Sequence, residues 1–173
     1  MKIDDLPSLR SVLEANRLAP SKALGQNFLL DLNLTARIAR SAESLQDCNV
    51  VEVGPGPGGL SRALLQSSAQ TVLAIEKDTR TTPILEALAQ TDEGQEKAFR
   101  VLFDDALEVD LLAAIPAPRA VVANLPYNVA VPVLLPVDVP VLVHDALDDG
   151  VTDDDGLATG VVDDDATLVG DVD

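Results

Sequence analysis

The sequence predicts an α/β fold built on a parallel sheet, and three observations support this prediction. Short apolar runs alternate with helix-like patterns between residues 48 and 123, as in a series of β-α-β units. A glycine-rich turn follows the first of these runs, and such a turn is typical of nucleotide-type sites. Polar residues follow the later runs, at the edge where parallel sheets bind their ligands.

The turn lies between residues 49 and 60, in the segment N-V-V-E-V-G-P-G-P-G-G-L. Residues 50–53 are rich in valine and too few for a helix, so they predict a strand. Gly54 and Gly56 are two of the glycines in the turn, and without a Cβ they allow positive φ and close contact with a ligand. Helical spacing resumes at Leu60, so the free N–H groups of that helix would face the same ligand.

The other elements follow from the same patterns of apolar spacing and capping residues. Asp31 and Asp78 are candidate N-caps, and Pro83 suits the first turn of a helix. We predict helices at residues 8–16, 31–42, 59–66 and 83–90, and strands at residues 48–53, 70–75, 99–103 and 119–123.

Four polar features are predicted to meet at the carboxyl edge of this sheet. They are the glycine turn, Glu76, Asp105 and the segment N-L-P-Y at residues 124–127. Glu76 follows Gly54 by 22 positions, and its carboxylate could accept hydrogen bonds from ribose hydroxyls. The glycine spacing also fits the dinucleotide fingerprint, so the turn by itself does not decide between a nicotinamide dinucleotide and another nucleoside cofactor.

Length and composition exclude several classes of protein. With 173 residues, 47% of them apolar, one domain with an aliphatic core is expected. The sequence has no run of about 18 apolar residues that would suggest a membrane span, and its N-terminus lacks the apolar stretch of a signal peptide. Cys48 and His144 are each the single residue of their type, so we expect no disulfide, no His-rich metal site and no Ser-His-Asp triad. A lone cysteine fits a reducing cytoplasm.

The chain changes character near Pro132. Residues 1–132 contain 17 acidic and 12 basic residues, whereas residues 133–173 contain 12 aspartates and no basic residue. Pro136 and Pro140 argue against a regular helix or a central strand in this acidic tail. The fourth predicted strand would then be left as an exposed edge of the sheet.

A near-repeat of ten residues starts at Gly150 and again at Gly160. It could form a calcium-binding array of turns, or it could be a disordered tail whose charges repel one another. We favour the tail, because two copies are fewer than a solenoid needs. The narrow set of residue types would also fit an off-frame sequence, which the coding DNA would test.

Five motifs occur in order along the chain, and together they resemble the ribosomal RNA adenine N6-dimethyltransferase family. They are G-Q-N-F-L at residues 25–29, V-E-V-G-P-G-P-G-G-L at residues 51–60, I-E-K-D at residues 75–78, D-A-L at residues 105–107 and N-L-P-Y-N at residues 124–128. The resemblance implies a Rossmann-like S-adenosylmethionine-dependent methyltransferase fold. Its parallel sheet would be incomplete, because the later elements of the family are not recognisable after Pro132.

The resemblance divides the chain into two parts. Residues 1–132 would form a truncated S-adenosylmethionine-binding methyltransferase domain, and residues 133–173 would be an acidic, low-complexity and disordered tail.

The resemblance also implies roles for individual residues. Gly54 would lie against the methionine part of the cofactor, Glu76 would bind the ribose hydroxyls, and Asp105 would accept a hydrogen bond from the adenine amine. Asn124 would lie between the cofactor and the target base. The implied cofactor-binding residues are Asn27, Leu29, Gly54, Gly56, Glu76, Asp105 and Asn124, the implied catalytic residues are Asn124, Leu125, Pro126 and Tyr127, and no metal is implied.

By this resemblance the chain would dimethylate the N6 atom of adenine in small-subunit (16S) ribosomal RNA, as a cytoplasmic monomer in ribosome biogenesis. Its partner would be ribosomal RNA or the small ribosomal subunit, without a membrane. Two alternatives stay open, a truncated S-adenosylmethionine-binding fragment with little activity and an NAD-dependent oxidoreductase. The acidic tail favours the fragment, because it would repel RNA phosphates. The N-L-P-Y segment and the lack of a Tyr-x-x-x-Lys group speak against the oxidoreductase.

Overall fold

The computed structural model describes residues 1–21, 28, 30, 31, 35, 45–124, 141–144 and 157–160. The strands in this part of the chain are β1 (Asn49–Val53), β2 (Thr71–Glu76), β3 (Arg100–Phe103), β4 (Arg119–Asn124), β5 (Val141–His144) and β6 (Leu157–Gly160). The helices in the same part are α1 (Leu9–Ala15), α2 (Gly59–Leu65), α3 (Thr82–Ala89), α4 (Asp92–Glu96) and α5 (Leu111–Ala114), with 3-10 turns at Ile3–Asp5 and Thr79–Thr81.

The strands form one sheet in the order β3-β2-β1-β4-β5-β6. β1 pairs in parallel with β2 on one side and with β4 on the other, so that Val51 faces Leu73 and Val121 in the ladder. β5 adds to β4 in parallel, and β6 is antiparallel to β5. The chain thus crosses from one side of β1 to the other between β3 and β4, which opens a crevice at the carboxyl ends of β1 and β4.

The central strand β1 is buried along its whole length, as expected for a parallel strand that is covered on both faces. Val50 packs on one face in a cluster that includes Leu64 of α2 and Leu85 of α3. Val51 packs on the opposite face in a cluster that includes Leu111 of α5. This double burial explains why the strand reads in the sequence as an uninterrupted valine-rich run.

The predicted strands and three of the predicted helices are confirmed to within one or two residues at most boundaries. Ser8 caps α1 by accepting a hydrogen bond from the Ser11 backbone. Asp78 caps the 3-10 turn that leads into α3 by accepting from the Arg80 backbone, and Pro83 lies in the first turn of α3. The helix predicted for residues 31–42 lies mostly outside the described residues.

Two short helices, α4 and α5, were not predicted. α4 begins where the Thr91 hydroxyl accepts a hydrogen bond from the Gly94 backbone. Its sequence, D-E-G-Q-E, has no apolar spacing, so only the capping residue could have indicated it. Helices of four or five residues are shorter than two turns, so apolar periodicity cannot detect them.

Part of the acidic tail joins the sheet, so the prediction that it contains no central strand is wrong for Val141–His144. Pro140 stands immediately before β5, where a missing N–H removes no ladder bond inside the strand. β4 is therefore not an exposed edge, because β5 covers it. The disorder expected for the tail likewise does not hold for β5 and β6. The near-repeat lies almost entirely outside the described residues.

Glu52 is a carboxylic acid inside the apolar core. Its side chain alternates with Val51 and Val53, and its ladder partners Ala74 and Val122 belong to the cluster beneath α2. It is 1% exposed, and among the described residues neither carboxyl oxygen has a hydrogen-bond partner. Burial raises the pKa of Glu52 to about 8; the nearby Ser61 opposes this rise and the charge of Glu76 adds to it. Glu52 is therefore protonated at neutral pH.

The buried acid predicts a pH-dependent stability. The pKa of Glu52 in the folded state is above its ordinary value of 4.5. The stabilisation that this shift gives the folded state is therefore complete below pH 4.5, and it is lost as the pH rises towards 8. We expect the free energy of unfolding to fall by about 1.4 kcal/mol per pH unit across this window. Urea unfolding between pH 5 and 8.5 measures this slope.

The matched variant is Glu52→Gln, which keeps the shape of the side chain and cannot ionise. Its unfolding free energy should lose most of the slope, because the amide that replaces the carboxyl group has no proton to release. Parallel slopes for the wild type and the variant would contradict the assignment of a protonated Glu52.

Candidate functional site

A shallow pocket lies at the crevice between the carboxyl ends of β1 and β4. It comprises about 260 Å³ of space that is partly open to solvent. The lining residues are Phe28, Gly54, Pro55, Gly56, Pro57, Gly59, Leu60 and Asn124. The glycine turn therefore forms most of the wall, and the last residue of β4 completes it. Glycines and prolines make up most of the lining, beside the larger residues Phe28, Leu60 and Asn124.

The glycine turn owes its shape to left-handed backbone conformations. Gly54, Gly56 and Gly58 have φ values of 72°, 53° and 82°, which a residue with a Cβ rarely adopts. The Gly54 N–H donates to the Ile75 carbonyl over 2.9 Å, which joins the start of the turn to β2. A Cβ on Gly56 would lie 3.3 Å from Cδ1 of Phe28, so the ring packs directly against the turn.

Glu76 connects the end of β2 to the glycine turn. Its Oε2 accepts from the Gly56 N–H and its Oε1 accepts from the Asp78 N–H, each over 2.8 Å. The side chain is 5% exposed, and burial raises the pKa of Glu76 while the backbone N–H groups of Asp78 and Gly56 oppose that rise. Each carboxylate oxygen can accept a second hydrogen bond, so Glu76 can support the turn and still bind hydroxyl groups.

Asp105 lies just beyond β3, beside the end of β2. Its Oδ2 accepts from the Lys77 ammonium over 2.6 Å, and its Oδ1 accepts from the Leu107 N–H over 3.1 Å. The hydrogen bond from Lys77 is the largest cause that lowers the pKa of Asp105. The carboxylate is therefore ionised at neutral pH, and it can only accept hydrogen bonds.

The structure brings together four of the predicted site residues. Gly54, Gly56 and Asn124 line one pocket, and Glu76 accepts a hydrogen bond from the backbone of the turn at Gly56. Asp105 lies at the end of the adjacent β2–β3 pair, where the Asp104 N–H donates to the Glu76 carbonyl. The other predicted site residues, Asn27, Leu29, Leu125, Pro126 and Tyr127, lie outside the described residues.

Two residues at this edge were not assigned by the sequence. Phe28 lies inside the G-Q-N-F-L motif, yet no pattern in the sequence favours it over its neighbours as a wall of the pocket. Lys77 follows Glu76 directly, but its contact with Asp105 spans 28 positions. That contact depends on the pairing of β2 with β3, which a reading of each strand by itself does not reveal.

Two further searches cover only the part of the chain that the structure describes. There, no group of three or more His, Cys, Asp or Glu side chains could hold a metal ion. No helix in the same part has the length and apolarity needed to span a bilayer.

Residues 19–136 match the family model described as ribosomal RNA adenine dimethylase. Among curated proteins, the chain is 54% identical over 127 residues to ribosomal RNA small subunit methyltransferase A of Ruegeria pomeroyi, and 56% identical over 127 residues to the protein of that name from Paracoccus denitrificans. Each alignment covers 73% of this chain and 44% of the relative. The chain thus spans less than half the length of the curated relatives it matches.

Solved structures show the same fold. The crystal structure of the 23S rRNA methyltransferase ErmE matches with a TM-score of 0.52 and 30% identity, over 68% of this chain and 48% of that one. A SAM-dependent O-methyltransferase from Thermotoga maritima matches with a TM-score of 0.54 and 15% identity, over 79% of this chain and 49% of that one. The predicted Rossmann-like methyltransferase fold is confirmed, and the chain belongs to the ribosomal RNA adenine dimethylase family.

Proposed function

We propose that this chain uses S-adenosylmethionine to methylate the N6 atom of adenine in small-subunit ribosomal RNA, twice in succession, to give dimethyladenosine. The observation that carries the proposal is the pocket shared by the glycine turn and Asn124 at the crevice between β1 and β4. Relatives named ribosomal RNA small subunit methyltransferase A support the choice of RNA and of the small subunit.

The residues around the pocket fit the proposed cofactor. Gly54 and Gly56 line the pocket and have no Cβ, so a methionine moiety can lie against the backbone. Glu76 has free lone pairs for ribose hydroxyls, and ionised Asp105 can accept from an adenine amine. When bound, the cofactor would supply a methyl group that its positively charged sulfur already activates.

The target adenine would be held by the segment that starts at Asn124. The N6–H groups would donate to the Asn124 side-chain oxygen and to the Leu125 carbonyl, which favours a nucleophilic N6. Pro126 would fix the turn, and Tyr127 would stack on the unstacked base, a contact worth about 1–3 kcal/mol. These roles rest on the family motif, and their main effect would be to orient N6 towards the methyl group.

We further propose that residues 1–132 contain the catalytic part of the methyltransferase domain and that residues 133–173, of which β5 and β6 extend the same sheet, lie beyond that part. Cys48 is buried and is the single cysteine of the chain, which suits a reducing compartment. Together with a ribosomal target, it supports action in the cytoplasm. We propose a monomer, with ribosomal RNA or the small subunit as the partner.

A second candidate function is that of a cofactor-binding fragment with little or no transfer activity. Two observations favour it: the chain spans 44% of the length of its relatives, and its last 41 residues carry 12 acidic and no basic side chains. Such a charge would repel RNA phosphates. The oxidoreductase alternative loses its support, because family membership accounts for the glycine turn.

The first test is methyl transfer to ribosomal RNA that lacks the modification. We expect the wild type to transfer tritiated methyl groups to adenine and mass spectrometry to find dimethyladenosine. Asn124→Ala should lower kcat by about 100-fold or more, because an unheld amine is no longer in line with the methyl group. The Kd for S-adenosylmethionine should change far less than kcat.

The matched control is Asn16→Ala. Asn16 is an exposed residue at the end of α1 whose amide donates to the Val12 carbonyl, so its loss should leave transfer unchanged. Calorimetric binding of S-adenosylmethionine by the wild type without any transfer would identify the fragment instead. A wild type that neither binds nor transfers would overturn both candidates.

Glu76→Gln should weaken binding of S-adenosylmethionine about 10- to 100-fold, the effect of leaving a buried donor unpaired. The new amide group would point its own N–H groups at the backbone N–H of Gly56 or of Asp78, which now donate to Glu76. Calorimetry measures the Kd.

Glu86→Gln is the control for that experiment, since Glu86 is an exposed residue of α3. A folded Glu76→Gln protein with wild-type affinity would show that Glu76 does not contribute to the cofactor site.

A further inference from the structure

Lys77 is a charged residue at the site edge to which the proposed function gives no part. It follows Glu76 directly, at the end of β2, and its ammonium lies 2.6 Å from Oδ2 of Asp105. The Lys77 side chain is 64% exposed, whereas that of Asp105 is 31% exposed. The ammonium therefore caps a carboxylate that is partly withdrawn from solvent.

Asp105 is held from two directions. Lys77 donates to one carboxylate oxygen and the Leu107 N–H donates to the other. The backbone around Asp105 is also fixed, because its N–H donates to Oδ1 of Asp104 over 2.8 Å and its carbonyl accepts from the Glu108 N–H over 2.9 Å. Of these contacts, only the one from Lys77 comes from outside the loop, so it ties the carboxylate group itself to the end of β2.

The Lys77–Asp105 pair lies beside other acidic side chains. Asp104 and Glu108 lie within three positions of Asp105 in sequence and are exposed, so the loop is acidic and Lys77 supplies a positive charge beside it. The hydrogen bond that Lys77 donates to Asp105 raises the pKa of Lys77, and it lowers the pKa of Asp105. Both groups are therefore charged throughout the neutral range, and the pair persists across it.

We propose that Lys77 is a positioning residue that orients the Asp105 carboxylate to accept a hydrogen bond from a 6-amino purine and so to discriminate against a 6-oxo purine. This inference rests on the proposed function, in which Asp105 accepts from the adenine amine of the cofactor. A carboxylate only accepts hydrogen bonds, and the 6-oxo group of hypoxanthine is also an acceptor. A fixed carboxylate therefore favours the amine and repels the oxo group, whereas a carboxylate free to turn towards solvent does neither.

The test compares calorimetric binding of S-adenosylhomocysteine with that of its 6-oxo analogue, S-inosylhomocysteine. Lys77→Met keeps the length of the side chain and removes the ammonium; because Lys77 is largely exposed, the variant should fold. We expect it to bind S-adenosylhomocysteine about 10-fold more weakly, the size of one hydrogen bond to a charged group. Binding of the 6-oxo analogue should strengthen, because the freed carboxylate no longer repels the oxo group, so the preference for the 6-amino compound should fall by more than this factor.

Two variants separate positioning from other effects. Lys77→Arg retains a donor and should recover most of the preference. Lys2→Met removes the same charge from an exposed residue of the N-terminus, which is bound to α4 through the Met1 ammonium and Asp92; it should change neither affinity. In methyl-transfer assays, Lys77→Met should raise KM for S-adenosylmethionine and leave kcat at saturating cofactor unchanged.

Asp105→Asn gives an independent check. In that background Lys77→Met should have no further effect on the preference, because the charge that it orients is gone. An unchanged preference for the 6-amino compound in the Lys77→Met protein would overturn the proposal. Tighter binding of S-adenosylhomocysteine by that variant would also overturn it, because it would mean that the ammonium competes with the cofactor. A change confined to KM for RNA would overturn it in favour of a phosphate contact. A wild type that binds neither compound would overturn the proposed function itself, and this inference with it.

Discussion

The carboxylate of Glu76 is the contact on which the site depends. It accepts one hydrogen bond from the glycine turn at Gly56 and one from the Asp78 N–H, each over 2.8 Å. A carboxylate buried to this extent would be costly without partners, so the acid and the turn need each other. Gly56 must have no Cβ, because its φ is 53° and Phe28 lies beside it. The glycine after β1 and the acid at the end of β2 thus depend on the same hydrogen bond, although 20 positions separate Gly56 from Glu76.

The parallel pairing of β1 with β4 extends this constraint to the third strand of the site. Val53 and Ala123 are ladder partners, so the residues that follow them, Gly54 and Asn124, emerge side by side. Both line the same pocket. The register is secured far from the pocket, by the burial of Val51 and Val121 in one apolar cluster. A core with no polar function therefore sets the position of the polar group proposed to hold the target base.

The sequence predicts the elements whose apolar runs are bounded by turn residues, and it misses the short helices α4 and α5 and the strand that follows Pro140. β1, β2, β3 and β4 are predictable because their runs are apolar and bounded by turn residues, whereas α4 depends on a hydroxyl cap at Thr91. β5 is missed because the sequence pattern places Pro140 inside an apolar run, whereas the strand begins at the next residue, Val141. The same limit applies to the site. Residues adjacent in the motifs, such as Gly54 and Gly56, are found, but the Lys77–Asp105 contact depends on which strands are neighbours.

The charges of the described edge distinguish the two ligands of the proposed reaction. Glu76, Asp78 and Asp105 supply negative charge there, and the nearby cations Lys77 and Arg80 are each paired with one of these acids. Such an edge attracts a cationic sulfonium and offers little to RNA phosphates, whose binding relies on positive side chains that face them. Cofactor binding and RNA binding are therefore physically separable, since the first depends on contacts within the sheet edge and the second requires a positive surface that this edge does not provide. Under the proposed function, a chain with the β1–β4 core intact would hold the methyl donor whether or not it also holds RNA.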